Sequence, residues 1–158
     1  MRIVPLLTVV AALACDYSTG PVRFLDLELR LAGSVMHADS SFDVRVTAIN
    51  RTGRPQRLET MGGCVIGMTL EAPGNAPLGP GIACRGILEV VHLAHRDSIH
   101  RMFRLTADPV NNGRGFARWP AGEYVVRGVL VGPHAETIRR TAPQRFVLVC
   151  RDPAAHEC

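Results

Sequence analysis

Phe42-Asp43-Val44-Arg45-Val46-Thr47-Ala48-Ile49-Asn50-Arg51-Thr52-Gly53-Arg54-Pro55 is the stretch on which the fold turns. Phe42, Val44, Val46 and Ala48 alternate with Asp43, Arg45 and Thr47, a period of two. Successive side chains of a strand point to opposite faces, so this period marks a strand with one buried and one wet face. The run ends in Asn50 to Pro55, residues that tolerate turn geometry. Upstream, Phe24 to Leu31 repeats the pattern, with Leu25, Leu27, Leu29 and Leu31 inward and Asp26, Glu28 and Arg30 outward. Downstream, residues 56–60, 64–70, 87–93, 101–107, 123–131 and 144–150 are rich in β-branched and aromatic residues, mostly separated by Gly, Pro or Asn. Glu71 to Gly81, dense in Pro and Gly, reads as loop. No amphipathic helix longer than a turn or two emerges. The expectation is an all-β chain, an immunoglobulin-like (Ig-like) antiparallel β-sandwich of about 7–9 strands over residues 23–150.

Composition agrees with a single packed domain: 158 residues, 47% hydrophobic and 20% charged. No apolar run reaches the ~18 residues of a bilayer-spanning helix, which excludes a polytopic membrane protein. The net charge is +4, and all 18 basic residues are Arg. They are scattered between acidic or apolar neighbours with no run of five, so nucleic acid is not an expected partner. An all-arginine basic set fits a GC-rich genome.

The N-terminus reads as an address. Met1-Arg2 precedes an uncharged stretch from Ile3 to Ala14, the form of a secretory signal. Ala11-Ala12-Leu13-Ala14-Cys15 resembles the lipobox of bacterial lipoproteins, with Ala12 where Leu is more usual. That resemblance implies cleavage after residue 14 and acylation of Cys15. Residues 15–22 would then be a lipidated tether, and the chain would sit in the bacterial cell envelope, anchored to a membrane and facing the periplasm or exterior. With Cys15 acylated, four of the five cysteines remain. An even number after a secretory signal suggests disulfides, and the pairings adjacent in sequence are Cys64–Cys84 and Cys150–Cys158. Residues 151–158 would then be a tail closed by the second bond. No C-x-x-C spacing speaks for zinc.

Three further stretches carry a family resemblance: Val44 to Gly53, then Gly63-Cys64, then Pro120-Ala121-Gly122-Glu123-Tyr124-Val125-Val126-Arg127-Gly128. A strand ending in Asn before a small turn, and a late Pro-x-Gly-x-Tyr entering a strand, resemble Ig-like domains of bacterial secreted proteins. The nearest likeness is the BsuPI type, named after an intracellular proteinase inhibitor, over roughly residues 40 to 131. It implies a sandwich with a Tyr packed where a strand enters. It assigns no inhibitory residue here.

Residues with reactive chemistry are few. His92, His95 and His100, near Asp97, make a weak candidate metal cluster for zinc or copper, although an odd spacing puts His92 and His95 on opposite faces of a strand. Ser98 has no G-x-S-x-G elbow. Asn50-Arg51-Thr52 matches a glycosylation sequon that in a bacterial protein is normally idle. Trp119, the single Trp, is either a contact for a partner or a cover for the end of the sandwich. No cofactor and no catalytic residue is expected. The functional expectation is a membrane-anchored, non-catalytic binding module that holds another envelope protein or a ligand. Two alternatives stand beside it: a proteinase-inhibitor-like protein presenting Glu71–Gly81 or Ala107–Arg118, and a small envelope metal-binding protein.

Overall fold

The alternation along residues 25–31 and 42–50 places two leucine- and valine-lined strands side by side, and the remaining strands assemble around that pair. The structure, a computed structural model, describes residues 25–61, 65–74, 77–78, 88–107, 110–111, 116–131 and 137–158. The expected signal (1–14), the tether (15–22) with Cys15, and both Cys64 and Cys84 lie outside the described residues.

The first sheet has the spatial order β1 (Leu25–Leu31), β3 (Phe42–Asn50), β8 (Ser98–Leu105), all antiparallel. The second runs β2 (Val35–His37), β13 (Gln144–Val149), β11 (Gly122–Val131), β5 (Ile66–Glu71), β6 (Pro77–Leu78). β12 (Thr137–Arg140) pairs with the far end of β11, beyond the reach of β13. Two ribbons complete the described strands: β4 (Gln56–Met61) with β7 (Leu88–Leu93), and β9 (Val110–Asn111) with β10 (Phe116–Ala117). In immunoglobulin terms β1, β3 and β8 take the places of strands A, B and E, and β5, β11 and β13 those of C, F and G. The molecule is an all-β sandwich.

Three details differ from the sequence reading. The β2–β13 ladder is parallel, not antiparallel, because the chain steps from one sheet to the other between Leu31 and Val35 without reversing. β8 begins at Ser98 rather than Arg101. Part of the expected Glu71–Gly81 loop is strand: Leu70 pairs with Leu78 and Glu71 with Pro77. Gly74, at φ +83, favours the reversal, and a Pro is tolerated on β6 because no further strand among the described residues needs its missing N–H.

The core lies between the sheets. Leu25 and Leu29 of β1, Phe42, Val44, Val46 and Ala48 of β3, Met68 and Leu70 of β5, Tyr124 and Val126 of β11 and Phe146 and Leu148 of β13 are all buried in one cluster. The sheets approach closely where Val46 meets Gly128. A Cβ added to that glycine would lie 2.7 Å from a Val46 methyl, inside any real contact. The same glycine exchanges hydrogen bonds with Thr141, whose Oγ1 accepts its N–H at 3.0 Å and whose own N–H donates back at 2.9 Å.

Candidate interaction surface

The turn after β3 is organised by Asn50. It continues the inward phase of Phe42, Val44, Val46 and Ala48, and it is 0% exposed. Its Nδ2 donates to the carbonyls of Arg54, Leu93 and Ala94 at 2.9–3.0 Å. Its Oδ1 accepts from the Thr52 N–H at 3.0 Å and the Thr52 hydroxyl at 2.6 Å. The backbone joins in: Asn50 N–H donates to Asp97, and Arg96 N–H donates to Asn50. One side chain thus clips the β3–β4 turn to the β7–β8 turn, and a buried polar group with every valence met is stabilising rather than costly. With its amide nitrogen buried and bonded, Asn50 gives the sequon no acceptor in the folded chain.

At the opposite end, Tyr124 opens β11 and its hydroxyl donates to the carbonyl of Pro120 at 2.7 Å. This is the tyrosine corner of immunoglobulin-type sandwiches, in the F-strand position where such corners occur. Burial pushes the Tyr124 phenol up to about 12. Phe42, Phe146, Tyr124 and Trp119 form a continuous aromatic row, with ring centroids 4.8, 5.2 and 5.5 Å apart in succession. Trp119 is 5% exposed and packs against the Tyr124 ring at the edge of the core. The C-terminal tail closes over this corner. Cys150 and Cys158 are disulfide-bonded with Cα atoms 5.1 Å apart. The Cys158 N–H donates to Trp119, the Ala121 N–H donates to His156, and Pro120 bridges to Glu157.

Near the same end, the outer face of the second sheet carries unsheltered valines. Val35 (47% exposed) and Val147 (41%) face each other across the β2–β13 ladder, with Val149 (36%) two residues on. Ion pairs flank them: Arg145 with Glu123 at 2.8 Å, and Arg127 with Glu71 at 2.5 Å. The first sheet's outer face is instead charged, as in the cross-strand pair Asp43–Arg104 at 3.0 Å. A cleft of about 250 Å³ opens between Val65, Ile66, Val91, Ile99, His100 and Arg101. The Arg101 guanidinium lies 5.2 Å from the Phe103 ring centroid. The cleft offers one cation and one imidazole on apolar walls, without a nucleophile or carboxylate.

The three histidines do not converge. His92 lies on β7 opposite Arg57, His100 on β8 opposite Thr47, and His95 in the turn between. His95 Nδ1 donates to the Thr52 carbonyl at 2.6 Å. Among the described residues no group of three His, Cys, Asp or Glu side chains is placed to share a metal ion. Ser98 and Asp97 are local partners only, the Ser98 N–H donating to the Asp97 carboxylate. Of the two loops considered for protease contact, Glu71–Gly81 is partly paired into the sheet and Ala107–Arg118 contains the β9–β10 ribbon.

No family model and no curated protein matches this sequence. Among solved structures the chain is similar to part of the alkylpurine DNA glycosylase AlkC of Pseudomonas fluorescens bound to DNA containing an abasic site analog. The identity is 12% and the TM-score 0.47, over 79% of this chain and 30% of that one. A β-glucosidase from Listeria innocua in complex with gluconolactone is similar at 15% identity and TM-score 0.43, over 79% and 16%. The β-D-glucoside glucohydrolase of Trichoderma reesei follows at 13% and 0.44, over 80% and 19%. The chain spans less than a third of each.

Proposed function

We propose that this protein is a non-catalytic binding module of the bacterial cell envelope, anchored through acylated Cys15, that engages another envelope protein with the outer face of its second sheet. The observation that carries the reading is the valine patch of Val35, Val147 and Val149, exposed beside the two ion pairs on that face. An apolar centre with a charged rim is the usual anatomy of a protein contact. The lipobox-like Ala11 to Cys15 supports the anchor, and the closed Cys150–Cys158 bond fits an oxidising compartment.

A photo-crosslinking residue at position 147, introduced in cells, tests the contact against a control at Met102, which is exposed on the other sheet. A protein adduct specific to position 147, and lost when Val35→Glu is added, is the expected result. Identical adducts from both positions, or none from position 147, would refute it.

A further inference from the structure

We propose that the end of the sandwich where the chain enters β1 is a docking surface for anionic phospholipid headgroups, so that the module lies with this end against its membrane. The topology gathers at this end arginines that are far apart in sequence. Leu25 pairs with Asn50, so Arg51 and Arg54 sit beside the entry point. Arg96 is held there by its N–H bond to the Asn50 carbonyl, and its backbone adopts φ 64 at the tip of the β7–β8 turn. Arg139 reaches across from β12, donating to the Leu25 carbonyl at 2.6 Å, and Arg140 follows it. All of these arginines are exposed.

Asp26 and Glu28 at the same end are already engaged. Asp26 pairs with Arg51 at 3.0 Å and with Arg139 at 3.6 Å, and Glu28 with Arg51 at 3.0 Å. The Asp97 carboxylate, bonded among the described residues only to the neutral Ser98 N–H, keeps its charge beside Arg96, and the five arginines still outnumber the three carboxylates. Arg54, Arg96 and Arg140 have no ion-pair partner among the described residues, which leaves a positive surplus facing outward. Guanidinium forks match phosphate oxygens in geometry, and an anionic leaflet attracts each such charge by a comparable increment. Position gives the source of the phosphate. Leu25 stands ten positions after Cys15, a reach of at most about 35 Å when fully extended, so an acylated Cys15 keeps this end within range of the headgroups. The valine patch lies near the opposite end, where β13 meets Gly122, and would face away. The orientation rests on the anchored reading; the arginine surplus does not.

The test is hydrogen exchange on the protein purified from its cells, its acylation first read by intact mass. It is measured on vesicles of phosphatidylethanolamine with about one quarter phosphatidylglycerol, and on phosphatidylcholine vesicles. The expected result is protection of the amides around Arg51–Arg54, Arg96 and Arg139–Arg140 on the anionic vesicles only, with none around Cys150–Cys158. High salt should remove the protection, as should the triple variant R54Q/R96Q/R140Q, whose melting temperature should match the parent. An unacylated protein that still gains protection, with vesicle affinity falling about fivefold per arginine replaced, would refute the anchor and leave the surface standing. An acylated protein that exchanges identically on both vesicles would refute the surface and leave the anchor. Equal protection by inorganic phosphate without vesicles would assign the arginines to a free anion and overturn the proposal.

Discussion

Asn50 and Tyr124 illustrate how two polar groups can be buried at opposite ends of a sandwich and strengthen it. Asn50 meets three carbonyls from two turns, so Asn50→Ala leaves acceptors without donors in a buried turn. The expected loss is about 2–4 kcal/mol in denaturant unfolding, most of it desolvation of the orphaned carbonyls. Asn50→Asp should be no better, because a carboxylate brings no donor to those oxygens. At Tyr124 the hydroxyl is the only group removed by Tyr124→Phe, and the Pro120 carbonyl is left unpaired, so about 1–2 kcal/mol should be lost. The phenol adds a pH signature. Folded, it keeps its proton to about 12; unfolded, it ionises near 10. Between those values the unfolded chain binds fewer protons, so stability is full below pH 10 and falls as pH rises toward 12. The Phe variant should lack that part of the slope. Asn50 was within reach of the sequence: it stands in phase with Phe42, Val44, Val46 and Ala48, and that parity outweighs its resemblance to a turn residue or a sequon.

At the scale of elements, strand packs closely against strand where Gly128 of β11 lies under Val46 of β3. Gly128→Ala must displace a core valine or separate the sheets, and about 1–3 kcal/mol should be lost by chemical denaturation. Long strands with one wet face announce themselves, which is why β1 and β3 could be read directly from alternation. β2 could not, because its three residues bury only Met36 and provide no period. Nor could β12, whose four residues Thr137–Arg140 are too few to show a period. The C-terminal bond is an element-scale device too: it ties a tail across the Trp119 corner. Double replacement Cys150→Ser with Cys158→Ser should cost about 2–3 kcal/mol, as expected for so short a loop. It should also red-shift the emission of Trp119, since the tail that covers it is released.

For the whole molecule, the two ends are chemically unlike. One is an arginine-rich end at the chain's entry, clipped by Asn50; the other is an aromatic corner sealed by the tail, with exposed valines nearby. The arginine grouping was invisible in sequence because positions 51 and 54, 96, and 139 and 140 belong to three different segments, which only the sheet order brings together. Likewise the valines alternate with buried residues of β2 and β13, so nothing but the strand pairing makes them a patch. The alternation was enough for the all-β class and for the inward faces of β1 and β3, whereas surface chemistry had to wait for topology. The central claim, an anchored and disulfide-closed module, is tested most directly by the intact mass of the protein extracted from native membranes, before and after reduction. The expected species begins at Cys15, carries acyl groups, and gains about four daltons on reduction of two bonds. A water-soluble species bearing no acyl group, or one whose mass does not change on reduction, would contradict it.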